Sequence, residues 1–338
     1  MRRGAWLGLL LLARCSSAPG IETPPPDDGA NPFDVVLRTA TPAEREAFAK
    51  GNALFDVVYG EADGLGPLFI APACSSCHAR ANDASGVVQK MVILDPDGRP
   101  SDDQSRLPFG NTVRPELAAG ATHPIVPPAD PAVLTSFRVG PTMLGRGYVE
   151  AVLDSEIERH AEEQRRRTDA IGGEVNYVVY ASESNPDSTL HSPAKCDVLV
   201  GRFGTKARIA TLDDFAADAM QGDMGLTTPL RPSELPNPDA LSDDAKPGID
   251  VGADRVRLLA DYLRFVEIPS RRGLTDQGRA LFEKADCSVC HVPTMRTKSD
   301  YPVAQLRAID APIYSDLLLH DMGFGLADGI SDERANWR

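Results

Sequence analysis

Two copies of the pattern Cys-x-x-Cys-His stand far apart in the chain, and each is suited to attaching a haem. The first comprises Cys74, Cys77 and His78, and the second comprises Cys287, Cys290 and His291. On a helix, residues i, i+3 and i+4 share one face, so two thiols can add to the two vinyl groups of one porphyrin. The histidine then lies beneath the iron. The spacing therefore predicts two covalently bound haems c, with His78 and His291 as the proximal iron ligands.

Two other kinds of site use a Cys-x-x-Cys pair. A thioredoxin-like redox pair needs a βαβ setting, and a zinc site needs further ligands nearby. The two remaining cysteines are Cys15, near the N-terminus, and Cys196, which stands alone. A lone cysteine is usually a small buried hydrophobe, so we do not assign Cys196 a redox role. Haem attachment remains the interpretation that the complete motif favours.

Length and charge restrict the classes of function. The 338 residues are long enough for two domains, and 42% apolar with 25% charged residues is ordinary for a soluble globular protein. The formal net charge is −14, and the chain has no Lys/Arg-rich stripe with interleaved aromatic residues. A phosphate backbone would be repelled. Nucleic acid is therefore not expected as a partner.

The N-terminus has the pattern of a secretory signal. Arg2 and Arg3 precede an apolar run at Ala5–Ala13, which is too short to span a bilayer, and small residues follow. The residues before Cys15 resemble a lipobox, which predicts a lipid anchor on that cysteine, whereas the alternative is ordinary cleavage near Ser16–Ala18. Because c-type haem attachment takes place outside the cytoplasm, we expect the protein in the periplasm or cell envelope.

The sequence predicts that mainly helices position the two motifs. An amphipathic pattern stands before each haem motif. Thr41 is the potential N-cap of the first pattern, and Thr275 is that of the second. The periodicity predicts helices at 42–55, 148–168, 254–266 and 274–284, one convincing strand at 176–181, and surface loops at 95–110 and 231–251.

These elements predict a mainly α fold in which two class I cytochrome c-like haem domains are joined by a long, loop-rich connector. The predicted segments are a signal peptide at 1–18, an N-terminal haem domain at 22–135, a connector at 136–265 and a C-terminal haem domain at 266–338.

Several sequence blocks resemble those of a known family, the di-haem oxidoreductases, also labelled thiol oxidoreductases, within the superfamily of bacterial di-haem cytochrome c peroxidases. The resemblance runs from about residue 40 to the end. Besides the two haem motifs, the blocks that carry it lie at 64–69, 138–151, 201–207, 222–227 and 314–323.

The resemblance implies a chemistry and its partners. A donor such as a small cytochrome or cupredoxin would supply electrons to one haem, which relays them to peroxide bound at the other. Relatives hold calcium between the haems, although no local acidic motif identifies its ligands here. The family continues beyond the segment that resembles Trp337 and Arg338. We therefore expect an incomplete C-terminal haem domain.

The sixth iron ligands decide whether the protein is an enzyme. An open position lets peroxide bind, whereas two saturated irons only pass electrons. The distal candidates are Met143, His123, His320 and Met322, and weak candidates for a catalytic acid or base are His320 and Asp321. Each also has a structural interpretation, as a core methionine, a surface-loop histidine or a turn residue. A non-catalytic electron carrier and an inactive truncated fragment stay open as alternatives.

The tripeptide Asp-Met-Gly occurs twice, at Asp223–Gly225 and at Asp321–Gly323. We interpret both copies as turns near a haem edge. Core packing of the methionine is the alternative.

Overall fold

The computed structural model describes residues 35–78, 86–169, 171–179, 198–269 and 276–323. Its α-helices are α1 Pro42–Phe55, α2 Cys74–Cys77, α3 Arg146–Ala151, α4 Asp154–Arg165, α5 Leu212–Met224, α6 Ala253–Phe265 and α7 Asp276–Lys284. Its strands are β1 Leu68–Phe69, β2 Val87–Ile93, β3 Glu116–Leu117, β4 Val133–Val139, β5 Gly173–Glu174, β6 Tyr177–Val179, β7 Val198–Val200, β8 Met295–Arg296, β9 Asp310–Ala311 and β10 Leu319–His320. Short 3-10 turns lie at Glu61–Asp63, Cys287–Val289 and Ala304–Leu306.

The prediction of a mainly α fold is wrong. Helices account for 31% of the structure and strands for 17%, and this architecture does not by itself show cytochrome c domains. The strands form five antiparallel pairs in the described ranges, β1 with β3, β2 with β4, β5 with β10, β6 with β7 and β8 with β9. The largest pair, β2 with β4, joins seven residues on each side, from Val87 opposite Val139 to Ile93 opposite Val133. Its Val, Ile, Thr and Phe residues favour extended backbone, which explains why the pair forms.

The helices predicted from capping and periodicity are largely confirmed. α1 begins after Thr41, whose Oγ1 accepts the N–H of Glu44 at 3.2 Å, while the Glu44 carboxylate accepts the N–H of Thr41 at 2.7 Å. This reciprocal capping box stabilises the first turn. α6 lies within one residue of its predicted bounds. α7 begins at Asp276, and its predicted cap Thr275 lies outside the described residues.

The predicted helix at 148–168 is two helices. α3 ends at Ala151 and α4 begins at Asp154, because Val152 and Leu153 have extended backbone between them. The predicted strand at 176–181 is present as β6, paired with β7. The sequence periodicity did not reveal the break because Val152 and Leu153 continue the apolar pattern of α3.

The main hydrophobic core lies where α1, α3, α5 and α6 meet. It draws buried residues from 37–69, 143–151, 203–226, 251–266 and 301–311. The ring of Tyr262 on α6 lies 5.1 Å from that of Phe48 and 5.4 Å from that of Phe55, both on α1. Residues from all three predicted segments contribute to this core, and the boundaries between those segments stay a prediction.

α1 and α6 approach each other closely at Gly51. A Cβ at this position would lie 2.5 Å from both the Leu258 carbonyl oxygen and Tyr262 Cβ. We expect Gly51→Ala to lower the free energy of unfolding by about 1–3 kcal/mol, because the helix backbones must separate. Denaturant unfolding followed by circular dichroism measures this loss. Lys50→Ala, on the exposed side of the same helix, should stay within about 0.5 kcal/mol of wild type, and an equal loss in both variants would contradict the close packing.

A buried network of charges joins α3, α5 and α6. Arg264 is 3% exposed and its Nε donates to Glu150, which is fully buried, at 2.8 Å. The guanidinium also pairs with Asp213. Glu150 in turn accepts the Tyr301 hydroxyl at 2.6 Å and the Leu212 N–H at 2.7 Å. One guanidinium therefore compensates carboxylates from two other helices inside the core.

Among the described residues, no helix combines the length and the apolar character that crossing a bilayer requires. The predicted signal peptide, Cys15 and Cys196 lie outside those residues.

Candidate haem sites

The first motif lies on a single helical turn at the wall of a cavity. α2 carries both cysteines, and the His78 N–H closes the turn on the Cys74 carbonyl at 3.0 Å. Cys74, Cys77 and His78 all line a cavity of about 340 Å³. Cofactor sites commonly enclose about 300–1,000 Å³. Other walls include residues of 138–143, 204–208 and α5, so segments distant in sequence complete the site.

The cavity wall has the composition that a haem requires. Apolar side chains such as Phe55, Phe215 and Leu263 form part of it. Lys90, Arg138 and Arg208 also line it, and Arg208 pairs with Asp218 of the same wall. Positive side chains at the wall suit the two propionates of a haem. The residues present therefore fit a haem at the first motif.

His78 is oriented as an iron ligand needs to be. Its ring hydrogen-bonds the backbone carbonyl of Pro141, and burial lowers its pKa, which keeps the imidazole neutral. The ring of Phe55 lies 6.0 Å away. A Cβ at Gly140 would lie only 3.0 Å from His78 Cε1, so the absence of a side chain there makes room for the ring. A carbonyl that accepts the other ring N–H commonly fixes the tautomer of a metal-bound histidine.

The thiols of the first motif do not resemble a redox pair. Cys74 and Cys77 are both free cysteines. Burial raises the pKa of Cys74 to about 12 and also raises the pKa of Cys77. Redox-active thiols have lowered pKa values. Within the described ranges, the side-chain groups close enough together to hold a metal ion include neither cysteine, which also disfavours a zinc site here.

Three methionines line the first cavity. Met143, the predicted candidate, is buried there, and Met220 and Met224 of α5 join it. Met220 was not among the ligands predicted from the sequence. Met224 belongs to the first Asp-Met-Gly tripeptide, so the only sequence signal for it was the predicted turn near a haem edge. The first tripeptide is the C-terminal end of α5, which Gly225 caps with φ +73°. Met224 is buried in the main core, as the alternative of core packing predicts.

Asp223 brings a carboxyl group into the same cavity. Burial raises its pKa to about 6. A carboxyl with this pKa carries a proton in part of the population near neutral pH, which suits acid–base chemistry.

The second motif repeats the histidine arrangement of the first. Cys287–Val289 form a 3-10 turn, and the His291 N–H closes it on the Cys287 carbonyl at 2.9 Å. His291 Nδ1 lies 3.3 Å from the Tyr314 carbonyl oxygen, which leaves Nε2 as the nitrogen that can bind iron. The Phe282 ring lies 6.4 Å from the imidazole, much as Phe55 lies near His78.

His320 lies beside the second motif but is held by other groups. Its Nε2 is 2.9 Å from Asp316 Oδ2, and the ring also hydrogen-bonds the Gly172 backbone. The bond to Asp316 raises the pKa of His320. Its Nδ1 lies 4.0 Å from Cys290 Sγ, and Cys290, Asp316 and His320 are close enough together to hold a metal ion. Both the iron-ligand and the acid–base assignments of His320 would require these bonds to rearrange.

Gln164 ties α4 to the second motif. Its side-chain amide donates to Asp316 Oδ2 at 2.7 Å and to the Val289 carbonyl at 2.9 Å. The Asp316 N–H donates to the Cys290 carbonyl at 2.9 Å. These bonds fix the segment that carries both cysteines and the histidine.

The other sequence candidates lie on the surface. Met322 is 53% exposed, and Asp321 is exposed and accepts the Gly323 N–H at 2.9 Å. His123 is exposed and pairs with Asp239 at 2.6 Å, and it does not line the first cavity. The structure thus places Met143 with the first motif and His320 with the second, and it leaves the side chains of the other three exposed.

Comparison with known proteins adds one match. A family model described as "Di-haem oxidoreductase, putative peroxidase" matches residues 129–338. No curated protein and no solved structure matches the chain. The matched range contains the second haem motif, whereas the first motif precedes it.

Proposed function

The chain belongs to the di-haem oxidoreductase family, and we propose that it is a c-type, peroxidase-like member that relays electrons from a donor through one haem to peroxide at the other. The observation that carries this proposal is the first cavity, where two free thiols, the buried imidazole of His78 and the carboxyl of Asp223 line one space of about 340 Å³.

The residues of the chain have distinct roles in this proposal. The thiols of Cys74, Cys77, Cys287 and Cys290 attach the porphyrins, and His78 and His291 bind the irons. Carbonyls of Pro141 and Tyr314 orient the two imidazoles. When bound, the haems supply the one-electron chemistry and the activation of peroxide.

Asp223 is the side chain best placed to handle protons in the first cavity. Its carboxyl group lines the cavity with a pKa near 6, whereas Asp321 is exposed. It can hold a proton at a carboxyl oxygen and give it to a ligand bound beside it. Asp223 therefore joins His320 and Asp321 as a candidate acid or base.

A non-catalytic electron carrier is the second candidate function. It is favoured by Met143, Met220 and Met224 in the first cavity, because a thioether in the sixth position closes the iron to peroxide.

The ferric spectrum of the two-haem protein distinguishes the enzyme from the carrier. An enzyme should show high-spin bands that shift when peroxide is added, whereas a carrier should show low-spin bands that do not respond. If Met143 binds the first iron, Met143→Leu should convert one haem from low spin to high spin. Met91→Leu, at a buried methionine outside that cavity, is the matched control and should leave the spectrum unchanged. Low-spin, unresponsive spectra in wild type would overturn the peroxidase proposal.

We also propose a periplasmic or cell-envelope location, with a lipid anchor if Cys15 is acylated. The electron donor would be a small cytochrome or a cupredoxin, since such proteins supply electrons in that compartment.

A further inference from the structure

One cationic side chain acts on His78, the predicted iron ligand of the first motif. Arg146 is the first residue of α3 and is half-buried. We propose that Arg146 raises the reduction potential of the haem bound at the first motif, by placing a positive charge beside His78 and by holding the loop that orients the imidazole. This inference deepens the proposed function and rests on its assignment of a haem to Cys74, Cys77 and His78.

Residues 140–146 form the loop that contacts the His78 ring. A Cβ at Gly140 would lie 3.0 Å from His78 Cε1 and 3.3 Å from its Nδ1. The next residue, Pro141, accepts the hydrogen bond of the ring through its backbone carbonyl. Arg146 Nε donates to the Thr142 carbonyl at 2.6 Å. The guanidinium is thus tied to the residue that follows the carbonyl on His78.

Hydrogen bonds fix this loop at both ends. The Gly140 N–H donates to the Gly86 carbonyl at 2.9 Å, which joins the loop to the residue before β2. Thr142 Oγ1 accepts the Leu144 N–H at 3.3 Å within the loop. Arg146 holds the other end from the start of α3. The loop therefore keeps the orienting carbonyl and the guanidinium in defined places.

The charge of Arg146 has no paired acid in the part of the chain that the structure describes. Its side chain bonds a backbone carbonyl, and burial alone lowers its pKa, to about 10. Because this value lies well above 7, the guanidinium stays charged at neutral pH. Arg264, by contrast, pairs with the carboxylates of Glu150 and Asp213. The field of Arg146 therefore reaches its surroundings without a paired counter-charge.

The sign of the effect follows from the action of Arg146 on the imidazole. Burial lowers the pKa of His78, and the charge of Arg146 lowers it further, because a nearby positive charge disfavours a second one. Reduction of the iron adds one negative charge, so the same field favours the reduced haem. Solvent and salt screen a half-buried charge less than an exposed one. Groups around an axial ligand are among the means by which a protein sets a haem potential.

The second haem serves as an internal reference. The charges that act on Cys290 include Asp316 and Arg167, and Arg146 is not among them. The His291 ring is oriented by the Tyr314 carbonyl and not by the loop at 140–146. A change at Arg146 should therefore alter the potential of one haem and leave that of the other.

Redox titration of the two-haem protein, followed by haem absorbance, tests the role of Arg146. Arg146→Met keeps much of the side-chain volume but removes the charge. At a fixed applied potential, it should lower the ratio of reduced to oxidised haem about tenfold for one of the two haems, which corresponds to about 59 mV for a one-electron couple. Arg146→Lys keeps the charge and should retain most of the wild-type potential.

Arg159→Met is the matched control, because it removes the same charge from the exposed surface of α4. It should leave both potentials unchanged. Haem absorbance after denaturation should give two haems per chain in each variant, and Arg146→Gln provides the same comparison if the methionine variant does not retain both.

The outcomes separate this inference from the proposed function. Unchanged potentials in Arg146→Met or Arg146→Gln, or an equal shift in Arg146→Lys, would overturn the role of the Arg146 charge. Loss of the first haem from all three Arg146 variants would overturn it as well, because Arg146 would then be needed for the fold of the site. Wild type without covalent haem would instead overturn the proposed function.

Discussion

Replacing both Cys74 and Cys77 by alanine is expected to reduce covalently bound haem from two per chain to one. Without the two thiols the first porphyrin has no thioether bond, while the second motif is untouched. Haem absorbance per chain, measured after denaturation and removal of free haem, should fall by half. Cys287→Ala with Cys290→Ala should give the same value through loss of the other haem.

Ser76→Ala is the matched control, because Ser76 lies within the first motif and is exposed. It should keep two haems per chain. Retention of both haems in the Cys74→Ala, Cys77→Ala variant would contradict the assignment of the first site.

Replacing Arg264 by methionine is expected to lower the free energy of unfolding by about 3–5 kcal/mol. The substitution keeps much of the side-chain volume but leaves the buried carboxylates of Glu150 and Asp213 without their cation. Removing one partner of a buried ion pair costs more than the net contribution of the pair to stability, because the remaining charge stays desolvated without compensation. Equilibrium unfolding in urea measures the loss.

Arg159→Met provides the control on an exposed ion pair. Arg159 pairs with Glu156 and Glu163 on the surface of α4, with its side chain 46% exposed. Its loss should cost about 1 kcal/mol or less. If Arg264→Met costs no more than this control, the buried network does not stabilise the fold.

The helices could be predicted where their signals are local. Thr41 and Glu44 stand three residues apart, so the capping box of α1 is visible in the sequence. The break between α3 and α4 could not be predicted, because Val152 and Leu153 continue the apolar pattern. The β2–β4 pair was missed for a different reason: Val87 and Val139 are 52 positions apart, and strand pairing over that distance has no local signal.

At the candidate site, too, local features could be predicted from the sequence and long-range contacts could not. The spacing of Cys74, Cys77 and His78 identified the attachment point because that geometry lies within one helical turn. The Pro141 carbonyl, Met220 and Asp223 come from other segments, and only the fold brings them to the cavity.

The central claim is that the chain binds two haems covalently, and the mass of the denatured protein tests it most directly. The chain should be produced in a host that exports it and attaches c-type haem. After unfolding in acid and organic solvent, the account predicts a mass equal to that of the mature polypeptide plus two haems. A mass equal to the polypeptide alone, or to the polypeptide with its cysteines paired as disulfides, would contradict it.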